Sequence, residues 1–300
     1  MSRSTTIAII GTGLIGASIG LALRRRRQQS LTIVGWDPSR RNAAEAKRRR
    51  AIDEISPDLE SAIARADIVV LAAPLASLAR LVPLALKQAK RGALVIDMGG
   101  LKTGIAKAAQ RALRARPHGA HFVAGHPLAG SERAGARAAS KQLCEGRPFA
   151  IYAPPQDERA RAWRAAETFA RTLGARPVRI TPEQHDRIVA ATSALPQLAA
   201  LALALAAERA AGRQSSWLAG PGFEGATRLA ETPFSLWDVA LFENRRNTRR
   251  ALRALVREIG GIVAALERGS PREMGKIFRS AAAARRRICA SGGRSKAARS

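Results

Sequence analysis

A glycine-punctuated turn between an apolar run and a helical pattern constrains the fold of this chain more than any other feature. Ile9-Ile10-Gly11-Thr12-Gly13-Leu14-Ile15-Gly16 closes the run Ile7–Ile10 and opens the helical stretch Ala17–Arg27. This is a G-x-G-x-x-G at a strand-to-helix junction. Gly11 permits the tight turn, Gly13 lets backbone amides approach a pyrophosphate, and Gly16 lets the helix pack on the strand. The helix N-terminus offers unpaired N–H groups and the positive end of its dipole to that anion. A second apolar run, Leu31–Gly35, ends at Trp36-Asp37, at the spacing where a carboxylate meets the ribose hydroxyls of an adenosine. A carboxylate there repels a 2′-phosphate, so NAD is expected over NADP, although Arg40 and Arg41 stand close enough in sequence to pair with such a phosphate. The cofactor contacts expected are Gly11, Thr12, Gly13, Leu14, Ile15, Gly16 and Asp37, with Ala73 and Pro74 from a later strand-to-helix loop.

The rest of the first half repeats this grammar. Apolar runs at Ile68–Ala72, Ala93–Ile96, His121–Ala124 and Phe149–Tyr152 suit buried strands, and Arg40–Arg50, Leu75–Gln88 and Leu101–Arg114 suit helices. Alternation of this kind predicts βαβ units and a mostly parallel sheet. After Pro177–Ile180 no strand pattern remains. Thr181-Pro182-Glu183-Gln184 reads as a helix start, with a capping Thr and Pro at the first position. The expected layout is a Rossmann-type dinucleotide-binding domain over 1–180, an all-α helical domain over 181–288, and a disordered basic tail over 289–300.

Composition narrows the function classes. The net charge is +28, from 51 Lys and Arg against 23 Asp and Glu. That charge suits a polyanion partner, or a general Arg and Ala drift of the surface; its even spread along the chain favours the second reading. Positive potential of either origin speeds the arrival of a small anionic substrate. Aromatics make up only 4%, which argues against base stacking on rings, and neither a helix-turn-helix nor a zinc pattern supports nucleic-acid binding. With two Cys and four His, neither a disulfide framework nor a metal site is expected. No run of 18 or more apolar residues is seen; Leu198–Ala207 is short and Ala-rich, and the N-terminus lacks a signal-peptide layout. A cytoplasmic, reducing location without membrane contact follows as the expectation.

Two further motifs follow strands. Val95-Ile96-Asp97-Met98-Gly99-Gly100-Leu101-Lys102 places a lysine at a helix start, where it can meet a carboxylate. Gly125-His126-Pro127-Leu128-Ala129-Gly130-Ser131-Glu132 sets a histidine at a strand's C-terminal edge, where cofactor crevices lie. With these, the sequence resembles the prephenate and arogenate dehydrogenase family of tyrosine synthesis. The resemblance runs from about Ile7 to Phe278. It is carried by the glycine turn, by Gly125–Glu132, by His185-Asp186 leading to Thr192-Ser193-Ala194-Leu195-Pro196-Gln197, by Gly222-Phe223 with Thr227-Arg228-Leu229-Ala230, and by Trp237 and Glu243-Asn244.

The resemblance implies an NAD-dependent oxidative decarboxylation of prephenate to 4-hydroxyphenylpyruvate and a homodimer built on the helical domain. It implies His126 as acceptor of the substrate's hydroxyl proton, a role that an imidazole near pKa 6.5 suits. It also implies Arg228 as the grip on a substrate carboxylate, with Lys102, Ser131, Glu132, Ser193 and Gln197 as further substrate contacts. The alternatives are arogenate or a related cyclohexadienyl compound as substrate, a non-catalytic dinucleotide-binding protein, and a β-hydroxyacid dehydrogenase. This chain departs from the family pattern at Gly100, where relatives carry a Ser that hydrogen-bonds the catalytic His and substrate. It departs again at Ala194 and Gln197, where relatives often carry His.

Overall fold

The computed structural model describes residues 5–25, 31–115, 119–130, 134–153 and 160–290. The tail from 291 on, Ser131, Glu132 and His118 lie outside the described residues. The chain divides into two compact units, 1–186 and 187–300.

The first unit is an eight-stranded sheet. Its strands are β1 (Thr5–Ile10), β2 (Leu31–Trp36), β3 (Glu54–Ile55), β4 (Ile68–Leu71), β5 (Leu94–Asp97), β6 (His121–Pro127), β7 (Pro148–Tyr152) and β8 (Arg176–Arg179), in the order β3-β2-β1-β4-β5-β6-β7-β8. All neighbours are parallel except β6 and β7. Among the described residues the β6–β7 connection carries only the 3-10 turn Ala136–Ala138; with no crossover helix, the chain returns antiparallel. Helices α1 (Leu14–Arg25), α2 (Arg40–Arg48), α3 (Leu59–Arg65), α4 (Leu75–Gln88), α5 (Thr103–Ala115) and α6 (Ala160–Thr172) follow strands in turn.

Strand alternation explains why both faces are covered. In β1, Ile7 and Ile9 join one buried cluster with Ile33, Val70 and Ile96, while Ala8 and Ile10 join a second with Val34, Val69 and Val95. A parallel sheet packed by helices on both faces needs this doubly apolar strand. The elements the sequence did not announce are the short or polar ones. β3 has two residues, and β8 is an edge strand reading Arg-Pro-Val-Arg. Arg179 lies 4.6 Å from the Trp163 ring centroid and also pairs with Glu167, so its stem and charge cover α6 at that edge.

A helical run of 30 residues, Pro182–Ala211, follows β8. Thr181 and Gln184 form a reciprocal cap: the Gln184 N–H donates to Thr181 Oγ1 at 3.3 Å and the Thr181 N–H to Gln184 Oε1 at 3.4 Å. The run consists of α7 (Pro182–Val189), a π-helical turn (Ala190–Ala194) and α8 (Leu195–Ala211). Pro196 explains the π turn. It has no N–H to donate and its ring crowds the preceding turn, so the helix widens there and the Leu195 N–H reaches back to Ala190 O. The helix is longer than the apolar stretch Leu198–Ala207 alone, and by length and composition it could cross a membrane, as the core helix of a soluble protein also could.

The rest of the second unit is α9 (Pro221–Thr227), α10 (Asp238–Glu243), α11 (Arg245–Glu267) and α12 (Pro271–Ala290), with short 3-10 turns between. It buries little of its own apolar surface. Trp217 is 77% exposed and Leu218 94%, and Phe234, Phe242, Val256 and Phe278 are exposed too.

Gly20 tests the packing of the first unit. A Cβ there would stand 2.0 Å from the Ala51 carbonyl oxygen, so α1 presses directly on backbone. Gly20→Ala is expected to cost about 1–3 kcal/mol by overpacking, measured as a lower midpoint in thermal or urea unfolding.

Candidate active site

The strand order reverses beside β1: β2 lies on one side and β4 on the other. The crevice at the C-terminal ends of such strands is where doubly wound sheets bind ligands. Three glycines shape its floor for three different reasons. Gly11 has φ +93°, and a Cβ there would stand 2.6 Å from Ala72 O, so the turn and the Ala72–Pro74 loop touch backbone to backbone. Gly16 would meet Gly11 O at 2.0 Å. At Gly13, by contrast, a Cβ would meet no protein atom within 4 Å. That open cradle, at the start of a helix with no acidic residue in its first turn, fits a pyrophosphate.

Thr12 is fully buried, and it directs its N–H (2.8 Å) and hydroxyl (3.2 Å) at Asp37 Oδ2. Asp37 Oδ1 accepts from the Ser39 N–H at 2.9 Å. Thr12 therefore anchors the Asp37 carboxylate. Leu14 opens α1, Ile15 packs against the core, and Pro74 caps α4. Arg40 and Arg41 are exposed on the first turn of α2.

At the end of β5 stands a buried ion pair. The Lys102 side chain, with the residue only 1% exposed, donates to Asp97 Oδ2, and its Nζ also donates to Gly125 O at 2.7 Å. Asp97 accepts from the Gly99 N–H at 2.9 Å and the Gly125 N–H at 3.3 Å. Burial pushes the Asp97 carboxyl up and the Lys102 ammonium down, and their mutual attraction opposes both shifts. Lys102 does meet a carboxylate, then, but an internal one. Its expected role as a substrate contact is corrected to holding the β5 and β6 ends together.

His126 is the residue after that clamp. It is the penultimate residue of β6, opposite Ala150 of β7. Its Nδ1 lies 2.8 Å from His185 Nε2, and the two rings meet edge to face. His185 Nδ1 lies 2.8 Å from Asp186 Oδ1. Burial, then the neighbouring His185 and Lys102, hold the His126 imidazole well below the ordinary histidine pKa; Asp186 opposes this more weakly. It is therefore neutral at neutral pH and able to accept a proton. Burial raises the Asp186 carboxyl, but hydrogen bonds from His185, Thr103 and Lys102 outweigh it and keep the group below its usual range. His185-Asp186 was part of a motif without an assigned task. Only its place one turn beyond the Thr181 cap, facing β6, reveals one.

The remaining expected contacts lie in the second unit. Gln197 is 2% exposed, and its Nε2 donates to Leu229 O at 2.8 Å, which ties it to the residue after Arg228. Gln197 Oε1 is buried without a hydrogen-bond partner. Arg228 opens an exposed 3-10 turn, Arg228–Glu231, and Ser193 is exposed on the π turn. At Gly100 a Cβ would meet nothing within 4 Å, so packing does not dictate glycine there.

Residues 19–179 match the family model for the prephenate dehydrogenase nucleotide-binding domain, and residues 181–280 match that for the prephenate dehydrogenase dimerization domain. The chain belongs to the prephenate dehydrogenase family. It is 28% identical over 279 residues to a prephenate dehydrogenase of Bacillus subtilis, covering 92% of this chain and 74% of that protein. A cyclohexadienyl dehydrogenase of Zymomonas mobilis is 28% identical over 242 residues, covering 79% of this chain and 80% of that one. The fold matches the crystal structure of prephenate dehydrogenase from A. aeolicus in complex with hydroxyphenyl propionate and NAD+, with TM-score 0.84 and 23% identity over 96% of this chain and all of that chain.

Within this family site, the Asp97–Lys102 pair has a measurable consequence. Lys102→Met leaves the Asp97 carboxylate buried without its cation, which is expected to cost about 3–5 kcal/mol. Urea unfolding of the variant beside the parent reads that loss; an unchanged midpoint contradicts the pair's structural role.

Proposed function

We infer that this chain is an NAD-dependent prephenate dehydrogenase that makes 4-hydroxyphenylpyruvate in tyrosine biosynthesis. The observation that carries this reading is the neutral imidazole of His126. Its Nε2 makes no hydrogen bond among the described residues, and it stands at the end of β6 in the same sheet whose β1 turn forms the glycine cradle.

The amides around Gly13 and at the start of α1 would hold the NAD pyrophosphate, and Asp37 its adenosine ribose, with Ala73 and Pro74 along the cofactor. When bound, NAD supplies the hydride acceptor. His126 takes a share of the 4-hydroxyl proton as hydride leaves the carbon that bears it. Carbon dioxide departs from the opposite ring carbon. Its bonding pair enters the ring and reaches the 4-oxygen, which recovers the proton as a phenol. Aromatisation makes the sequence downhill, so the protein's task is alignment and proton handling. Arg228 presents a fork suited to a substrate carboxylate, with Ser131, Glu132, Ser193 and Gln197 as further contacts.

One observation favours arogenate as a second reading. The partnerless Gln197 Oε1 is an uncharged buried acceptor, and such an acceptor suits an ammonium donor better than a keto oxygen. NADH formation with prephenate and arogenate side by side separates the two.

The second unit's exposed apolar surface supports a homodimer. Leu203 and Leu205 of α8 and Val256, Ile259 and Val263 of α11 are all exposed, a larger apolar face than a monomer keeps in water. On this reading the long apolar helix serves the subunit interface in a cytoplasmic enzyme.

Three measurements check the proposal. His126→Asn is expected to lower turnover of prephenate by about 10²–10⁴-fold while NAD binding stays near the parent value; near-normal turnover overturns the assignment. Gly13→Ala is expected to fold normally, because the added methyl meets no protein atom, yet to weaken NAD binding; unchanged affinity removes the cradle. Light scattering at micromolar concentration is expected to give twice the chain mass, and a monomer contradicts the interface.

A further inference from the structure

Two side chains beyond those assigned above, His185 and Asp186, stand in line behind His126, each 2.8 Å from the next. We propose that Asp186 and His185 act as positioning residues that fix which nitrogen of His126 serves as the base. The proposal rests on the reading of His126 as the proton acceptor.

Asp186 closes the far end of the line. Its Oδ1 accepts from the Lys102 N–H at 2.8 Å, and its Oδ2 from the Thr103 N–H at 2.9 Å. Thr103 is the first residue of α5, so the carboxylate sits on the positive end of that helix. Surrounded by donors, the carboxylate is ionised and can only accept. The 2.8 Å contact to His185 Nδ1 therefore places a proton on that nitrogen. The proposal gives His185 one proton, on this Nδ1, which leaves its Nε2 with a lone pair. His126 Nδ1 lies 2.8 Å from it and must be the donor. The proton of neutral His126 is thereby assigned to Nδ1, and Nε2 is left with the lone pair that a base requires.

Without this chain, the two tautomers of an imidazole compete. The tautomer protonated on Nε2 presents a donor to the substrate hydroxyl and cannot take its proton. The line also serves the charged state. When Nε2 takes the proton, the Nδ1–H bond to His185 becomes charge-assisted, with no proton passing to the carboxylate. The charged and titratable groups around the two rings are Asp97, Lys102 and Asp186, and Lys102 is held by Asp97 at the same strand ends.

The test combines a spectrum with kinetics in the intact protein. ¹⁵N NMR of histidine-labelled protein at neutral pH is expected to show His126 as the Nδ1–H tautomer in the parent. In His185→Leu, which removes the acceptor, the Nε2–H tautomer is expected to appear, and turnover of prephenate to fall by about a hundredfold with KM little changed. His185→Gln offers an amide oxygen to the same Nδ1–H and is expected to recover most of both signals. An Nε2–H tautomer in the parent overturns the proposal. So does a tautomer that ignores both substitutions, because a packing role alone would leave it unmoved. If His185→Leu fails to fold, the parent spectrum and His185→Gln still decide. If the parent spectrum is as expected but the protein turns over neither prephenate nor arogenate, the assigned reaction fails while the tautomer assignment stands.

Discussion

The site depends on one buried ion pair at the end of β5. Asp97 and Lys102 are out of water, and the cost of placing both charges there is offset by a full set of partners. Asp97 receives the N–H groups of Gly99 and Gly125, and Lys102 reaches the Gly125 carbonyl. Gly125 is thus held through both its N–H and its C=O, which fixes the backbone immediately before His126. The N–H of the same lysine donates to Asp186. One residue therefore ties β5, β6 and the start of α7 into a single unit around the imidazole. Buried pairs of this kind contribute little net stability relative to apolar replacements; what this one contributes is position, together with part of the field that keeps His126 neutral.

Much of this was legible in the sequence where local chemistry leaves few options. Gly11, Gly13 and Gly16 announced the turn, and the structure separates their tasks into a positive φ with backbone contact, an open cradle and a helix contact. The Thr181 cap, the strand carrying His126 and the change to helices after β8 were also readable, because each rests on short-range pattern. The illegible parts depend on long-range partners. Nothing local says that Lys102 pairs with Asp97 rather than with a ligand, or that the Thr12 N–H faces Asp37. The His185–His126 contact joins residues 59 apart in sequence, and only the folded sheet brings them together. The depressed pKa of His126 has the same origin, since burial by distant elements produces it.

The departures from the family pattern fall into two kinds. At Gly100 the space for a side chain is open, so the missing hydroxyl is a loss of chemistry rather than a packing requirement. At Gln197 the side chain is buried and half-satisfied, beside the turn that Arg228 begins. On the proposed reading, the first change bears on proton handling. On the same proposed reading, the second bears on which substrate side chain is recognised. Neither touches the ion pair or the glycine turn, on which fold and cofactor binding rest.

The central claim is that His126 acts as a neutral base whose imidazole is held below its ordinary pKa by burial, His185 and Lys102. The pH dependence of kcat/KM for prephenate at saturating NAD tests it most directly. A group whose pKa is depressed stays unprotonated as pH falls through about 6.5, the usual histidine value. The rate is expected to be level across that point and to decline only well below it. A half-maximal rate at or above about 6.5 would contradict it.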